Sequence, residues 1–143
     1  MRRFVLDASI ALAWCFEDES RASADRILDM LKDAGAVVPA IWPLEIGNAL
    51  LSGERRGRID LAGTARFLAL LKSLPIRVDD RPATIFIEPL ITLARARKLS
   101  VYDAGYLELA MREGIALATL DGLLKRAAVA LGVRLLPDRS DRD

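Results

Sequence analysis

Four acidic residues stand at positions where their carboxylates could act chemically. Asp7 and Asp121 each end a short apolar stretch and precede a helical pattern. Asp103 lies near the start of the helical run "LSVYDAGYLELA", and Glu45 interrupts the apolar spacing of "PLEIGNAL". If the fold brings them together, two such charges about 5 Å apart repel by roughly 3 kcal/mol at an effective dielectric of ~20. A cluster of this kind needs a cation.

Composition restricts which cation that is. The 143-residue chain has no histidine, and Cys15 is its only cysteine, so a CxxC zinc site and an internal disulfide are excluded. Oxygen ligands alone favour Mg²⁺ or Mn²⁺, and Mg²⁺ binds through a few carboxylates, waters and substrate phosphates. The chemistry indicated is attack of a metal-bound water on a phosphate ester. Thr119, two residues before Asp121 on the same strand face, could hold a carboxylate or a water.

Each acid also has an ordinary structural explanation. Ser100 and Asp103 match the S-x-x-D capping box. Asp7 and Asp121 could each cap the helix that follows, and Glu45 could be an exposed helical residue. Taken together, however, four acids in such positions favour a shared site over four unrelated roles.

Alternating strands and helices are expected to position these acids. Such alternation predicts an α/β fold with a mostly parallel sheet covered on both faces. The strands that precede Asp7 and Asp121 would then have their carboxyl ends at the same edge of the sheet. One predicted helix covers 82–98, where Pro89 either kinks the helix or begins a new one. The predicted strands are 3–6, 36–39, 76–78, 115–120 and 133–136; the predicted helices are 8–16, 21–32 starting at Ser20, 42–57, 61–74, 101–113 and 122–131.

The whole-chain properties predict one domain over residues 1–143, with a charged tail from 138. Hydrophobic residues make up 52% and the net charge is +1, so bulk charge does not attract nucleic acid. The N-terminus superficially resembles a signal peptide, but Asp7 interrupts it and no cleavage site follows. No apolar run is long enough to span a bilayer, and we expect a cytoplasmic protein without membrane contact.

Two short basic groups are candidates for contact with RNA phosphates, although a solvated surface is the more ordinary role of such runs. No GxGxxG or GxxxxGK[ST] loop is present to bind nucleotide phosphates instead. The basic candidates are Arg55, Arg56 and Arg58 of "GERRGR", with Arg95, Arg97 and Lys98.

Four motifs, in order, are "FVLDASIALAW", "PLEIGNAL", "LSVYDAGYLELA" and "LATLD". In content and spacing the chain resembles, nearly end to end, the PIN-domain ribonucleases, specifically the VapC-type toxins of toxin–antitoxin pairs. The resemblance implies a PIN-like α/β/α sandwich and an acidic site. That site would consist of the quartet Asp7, Glu45, Asp103 and Asp121, with Ser9, Asn48 and Thr119 as polar supports.

The resemblance further implies a Mg²⁺- or Mn²⁺-dependent endoribonuclease that forms homodimers. A cognate VapB-type antitoxin would inhibit it by placing its C-terminal segment in the active-site groove. We expect Asp7, Glu45 and Asp103 to bind metal, while Asp121 either completes a second site or holds a metal-bound water. Gly47 departs from good helix-forming sequence and is expected to permit close helix packing.

Two alternatives remain. A haloacid-dehalogenase-like phosphatase also begins with a strand-ending aspartate, but such enzymes need a second aspartate where this chain has Ser9. A catalytically silent protein of PIN fold could act only through binding or regulation. The intact acidic quartet argues against the loss of activity.

Overall fold

The computed structural model describes residues 2–16 and 21–138, so the predicted helix start at Ser20 and all but the first residue of the charged tail lie outside it. Within these ranges no helix is long and apolar enough to cross a membrane. A single 3₁₀ turn, Ala83–Ile85, accompanies the regular elements. In chain order these are β1 (Phe4–Leu6), α1 (Ala8–Cys15), α2 (Arg21–Ala34), β2 (Ala36–Val38), α3 (Trp42–Arg55), α4 (Leu61–Ser73), β3 (Ile76–Val78), α5 (Ile87–Arg97), α6 (Val101–Glu113), β4 (Leu117–Ala118), α7 (Gly122–Ala130) and β5 (Leu135–Leu136).

The described strands form one sheet in the order β3-β2-β1-β4-β5, and every neighbouring pair is parallel. Val5 of the central strand β1 lies opposite Val37 on one side and Leu117 on the other. Helix α1 packs on α2 and α3, whereas α6 packs on β1, β4, α5 and α7. The predicted α/β class is therefore confirmed.

The core fixes the edge of the sheet at which the acids stand. Phe4, Val5 and Leu6 of β1 are inaccessible to solvent, as expected for a parallel strand covered on both faces. Burying side chains of this size stabilises the fold by about 1.5–3 kcal/mol each. The ladder continues one residue further, because the Asp7 N–H donates to the Ala118 carbonyl at 2.9 Å. Asp7 is thus held where β1 ends.

The strand predicted over 115–120 is shorter in the structure, and each end has a local cause. At its start, the Ile115 N–H donates to the Ala110 carbonyl and so closes the C-terminal end of α6 instead of pairing with a strand. At its end, the Asp121 N–H donates to the Thr119 hydroxyl at 3.0 Å instead of to a neighbouring strand. Only Leu117–Ala118 remains as β4.

Helix α3 ends at Arg55, two residues before the predicted boundary. Gly57 has a φ of +72°, the left-handed conformation that often follows the end of a helix. The next N–H, that of Arg58, then donates to the carbonyl of Gly53 at 2.8 Å and closes the turn.

A new helix, rather than a kink, accommodates Pro89. The 3₁₀ turn precedes α5, and Pro89 is the third residue of α5. A first-turn position needs no N–H donor, because those groups have no acceptor within the helix.

The expectation for Gly47 was wrong: a Cβ added there would meet nothing within 4 Å, so this glycine does not permit close helix packing.

Candidate active site

The structure brings the four predicted acids around one cavity at the carboxyl edge of the sheet. The cavity has a volume of about 440 Å³, and among the described residues no lysine or arginine lines it. Thr119 is not in the lining but lies directly behind it, bonded to Asp7. The lining residues are Asp7, Glu45, Asp103 and Asp121, together with Ala8, Ser9, Leu12, Asn48, Ala49 and Ser52.

The side chain of Asp7 does not act as a helix cap. Asp7 occupies the N-cap position of α1, but its side chain makes no capping hydrogen bond. Instead its Oδ2 accepts from the Ser9 hydroxyl at 2.7 Å and from the Thr119 hydroxyl at 2.6 Å. The carboxylate is buried, with 5% of the residue exposed. The first turn of α1, through Ser9, and the segment that follows β4, through Thr119, therefore hold this carboxylate between them.

The directions of these hydrogen bonds are set by the backbone. The Ser9 oxygen accepts from the Leu120 N–H, and the Thr119 oxygen accepts from the Asp121 N–H, each at 3.0 Å. Each hydroxyl can then donate its one proton to Asp7. Burial raises the pKa of Asp7 above its ordinary value, the two hydroxyls partly oppose this, and the charge of Asp121 adds to the increase.

Glu45 is held by a residue that the sequence analysis missed. The hydroxyl of Tyr106, a fully buried side chain, donates to Glu45 Oε1 at 2.7 Å. Tyr106 lies three residues after Asp103, so one face of α6 presents both a carboxylate and this donor. That spacing was the available signal. Burial raises the pKa of Glu45; the Tyr106 bond opposes this, and the charges of Asp7 and Asp103 add to it.

Asp103 and Asp121 both stand at helix N-termini, as predicted. The Ser100 hydroxyl accepts from the Asp103 N–H at 3.0 Å, which is one half of the expected capping box. Asp121 is a true N-cap, because its Oδ1 accepts from the Leu124 N–H at 2.9 Å. Burial raises the pKa of Asp103, as do the charges of Asp121 and Asp7, against a smaller opposing effect of Ser100.

The donor set fits a hard divalent cation. Carboxylates, two hydroxyls and the Asn48 amide are oxygen ligands of the kind that suits Mg²⁺ or Mn²⁺. Among the described residues no three acidic or thiol side chains converge closely enough to enclose an ion by themselves. A cation here would complete its coordination with water or substrate oxygens, as Mg²⁺ commonly does.

The predicted basic residues do not all lie near this cavity. Arg56 and Arg58 line a second cavity of about 280 Å³, which shares Ser9, Leu12, Ala49 and Ser52 with the acidic one. The other candidates are exposed and line neither cavity. They are Arg55, Arg95, Arg97 and Lys98.

Comparisons with known proteins agree with this architecture. The family model "PIN domain" matches residues 4–130. A protein named Exonuclease VapC9, from Pyrobaculum aerophilum, is 34% identical over 93 residues, which are 64% of this chain and 67% of that protein. The crystal structure of PAE2754 from Pyrobaculum aerophilum aligns with a TM-score of 0.67 at 27% identity, covering 88% of this chain and 86% of the other. These matches confirm the resemblance predicted from the four motifs: the chain belongs to the PIN-domain family.

Proposed function

We propose that this chain is a divalent-metal-dependent endoribonuclease and the toxin of a toxin–antitoxin pair. The observation that carries the proposal is a cavity lined by four carboxylates and, within residues 2–16 and 21–138, by no cationic side chain. The name of the VapC9 relative supports nuclease chemistry in this family branch. The composition supports Mg²⁺ or Mn²⁺, because the chain has no histidine to bind a softer metal.

The chain's own residues would prepare the site. Ser9 and Thr119 orient Asp7 by donating to one of its oxygens, and Tyr106 does the same for Glu45. Asp7, Glu45 and Asp103 are the proposed ligands. When bound, the cation would lower the pKa of a water and offset charge on the phosphoryl oxygens.

Asp121 is proposed to have a different role from the other three acids. Its Oδ1 already caps α7 through the Leu124 N–H. That bond fixes the carboxylate at the cavity wall, which suits a residue that holds a water or a second ion. Asn48 lines the same wall from α3, one turn after Glu45, and is proposed as a polar support.

An endonuclease, rather than an exonuclease, is proposed on the shape of the groove. The acidic cavity shares four lining residues with the second cavity, so the two are adjacent and a strand could extend past the acids. The resemblance supports RNA as substrate, a VapB-type antitoxin as partner, a homodimer, a single domain over residues 1–143 and a cytoplasmic location. These remain proposals.

A circular single-stranded RNA and its linear form, each incubated with Mg²⁺, Mn²⁺ or EDTA, test the function. We expect metal to open the circle, which no exonuclease can do, and EDTA to stop the reaction. Asp7→Asn should lower turnover by at least about 100-fold, the upper end for loss of an outer-shell partner, because a direct ligand is lost.

The matched control is Asp79→Asn, the same chemical change at a partly buried carboxylate outside the cavity. It should leave turnover unchanged at a temperature where the variant is folded. Cleavage in EDTA, or full activity of Asp7→Asn, would overturn the metal mechanism. Cleavage of the linear RNA alone would indicate an exonuclease, and metal binding without any cleavage would favour a silent binding protein.

A further inference from the structure

We propose that Arg56 and Arg58 bind a second phosphate of the RNA strand whose scissile phosphate lies at the acids. This subsite rests on the proposed nuclease function. The proposal selects two of the six basic candidates. It also gives the groove an acidic end and a basic end.

The first argument is that the two cavities form one groove along α3. They share Ser9, Leu12, Ala49 and Ser52 in their linings. Glu45, Ala49, Ser52 and Arg56 follow one another at intervals of three or four residues, so they lie on one side of the helix. Glu45 and Ser52 are about 10 Å apart along the helix axis. One phosphate cannot reach both ends, whereas successive nucleotides of one strand can.

The second argument is that Arg58 is held in place by stacking. Its guanidinium carbon lies 4.5 Å from the centroid of the Phe16 ring. Phe16 in turn lies against Gly53, where an added Cβ would stand only 2.7 Å from the ring. A larger residue at position 53 would therefore require the Phe16 ring to move. A stacked guanidinium keeps its planar fork, which matches phosphate oxygens in pairs.

The third argument concerns charge. Among the described residues neither Arg56 nor Arg58 forms an ion pair. The acid of the same motif, Glu54, accepts instead from the Thr64 hydroxyl of α4 at 2.7 Å. As far as the described part of the chain is concerned, the arginine charges are thus available to a ligand. Arginines at the C-terminal end of α3 also interact favourably with the helix dipole. That role does not account for their place in the cavity beside the acids or for the stacking of Arg58 on Phe16.

RNA affinity tests the subsite without cleavage. A fluorescent single-stranded RNA of about eight nucleotides, within the usual range of such sites, is titrated in EDTA at several salt concentrations. Arg58→Ala should weaken binding roughly tenfold, the effect of losing a charged hydrogen bond. The slope of log affinity against log salt should fall in magnitude by about 0.7 per lost phosphate contact. Arg58→Lys should recover part of the affinity, because it keeps the charge and loses the fork.

Arg95→Ala is the matched control, since it removes one exposed arginine outside both cavities. Equal affinities and equal salt slopes for Arg58→Ala and Arg95→Ala would overturn the subsite. So would a lower melting temperature with unchanged RNA affinity, which would assign the arginines to the helix end. Unchanged RNA affinity with weaker binding of an acidic peptide would assign them to a protein partner and also overturn it.

Cleavage kinetics with Mn²⁺ then separate the subsite from the nuclease function. A dinucleoside monophosphate has one phosphate, so it cannot use the arginine end. Arg58→Ala should raise KM for the longer RNA, with kcat nearly unchanged, and leave cleavage of the dinucleoside monophosphate as in the wild type. If the wild type cleaves neither RNA, the nuclease proposal fails, while the affinities in EDTA still decide whether Arg58 contacts phosphate.

Discussion

Two groups of acidic side chains in this protein differ in whether the fold supplies a cation. Around the acidic cavity, Asp7, Glu45 and Asp103 have raised pKa values, for which burial is the largest cause and neighbouring carboxylates add to it. In the second group Asp79 and Glu108 share Arg112, whose nitrogens lie 2.7 Å and 2.8 Å from their oxygens. There the pKa of Asp79 is lowered.

The comparison shows how the direction of a carboxylate's pKa shift relates to the stability of the fold. Burial alone would raise the pKa of Asp79, but the hydrogen bond and charge of Arg112, together with a smaller effect of Arg81, outweigh it. Arg112 also stacks on Phe86 at 4.7 Å, so it joins α6 to the segment that leads into α5. A carboxylate whose cation belongs to the fold stabilises the fold. Carboxylates without one stabilise it only when an ion arrives.

Arg112→Met should have the largest effect on stability. It removes the shared cation of two mostly buried carboxylates while keeping an apolar stem, and we expect a loss of about 2–3 kcal/mol, near the low end for broken buried pairs. Urea unfolding at pH 7 measures this loss. Because the folded pKa of Asp79 is lowered, its stabilisation is present above the unfolded value near 3.9 and is lost as pH falls through the folded value.

The free energies of unfolding of the wild type and Arg112→Met should therefore converge below about pH 4. A gap that stays constant through this range would contradict the assignment of the stabilisation to the Arg112 ion pairs. RNA cleavage, measured where the variant is folded, should not change, because Arg112 does not line the acidic cavity.

Tyr106→Phe should have an intermediate effect, confined to the acids around the acidic cavity, for which the fold supplies no cation. The ring keeps filling the core, and Glu45 loses the donor that orients it, so Mn²⁺ affinity should fall about tenfold, the low end for outer-shell partners. Calorimetric titration of the metal-free protein measures this. Tyr102→Phe is the control, since it removes a hydroxyl from the same helix at a side chain that is 61% exposed. Equal affinities for the two variants would contradict the positioning role.

Asp103→Asn should have the smallest effect and the most informative sign. The raised pKa of Asp103 means that its ionised form costs stability above the folded pKa, and that this cost vanishes below the unfolded value. Without metal near neutral pH the melting temperature should rise by about 1–3 °C, a small shift because the carboxylate is partly solvated. Scanning calorimetry with and without Mn²⁺ checks this. Added Mn²⁺ should stabilise the wild type more than the variant.

The Ser100 bond survives that substitution, because it reaches the backbone N–H of residue 103. A clear fall in melting temperature would mean that Asp103 serves mainly the helix terminus. Asp103 would then be a structural carboxylate like Asp79, and the group of acids around the cavity would lose one member.

Local features of the sequence were predictable because they depend on neighbouring residues. Asp7 directly follows β1, Asp7 and Asp121 each directly precede a helix, and Ser100 caps α6 by accepting from the Asp103 N–H. The motifs also led to the correct family, since they keep their order along the chain. What was predicted less well were the ends of elements, such as β4, which is bounded by hydrogen bonds from the Ile115 N–H to the Ala110 carbonyl and from the Asp121 N–H to the Thr119 hydroxyl.

The sequence by itself determined which acids stand at strand ends and helix starts, and therefore that an oxygen-only metal site was possible. Only the tertiary structure decided what surrounds them. Tyr106 and Glu45 are 61 positions apart, and Phe16 and Gly53 meet only because α1 packs on α3. Of the six basic candidates, Arg56 and Arg58 line the cavity beside the acids. Helical and strand periods encode which way a side chain faces, but the identity of its distant neighbour depends on how the layers pack.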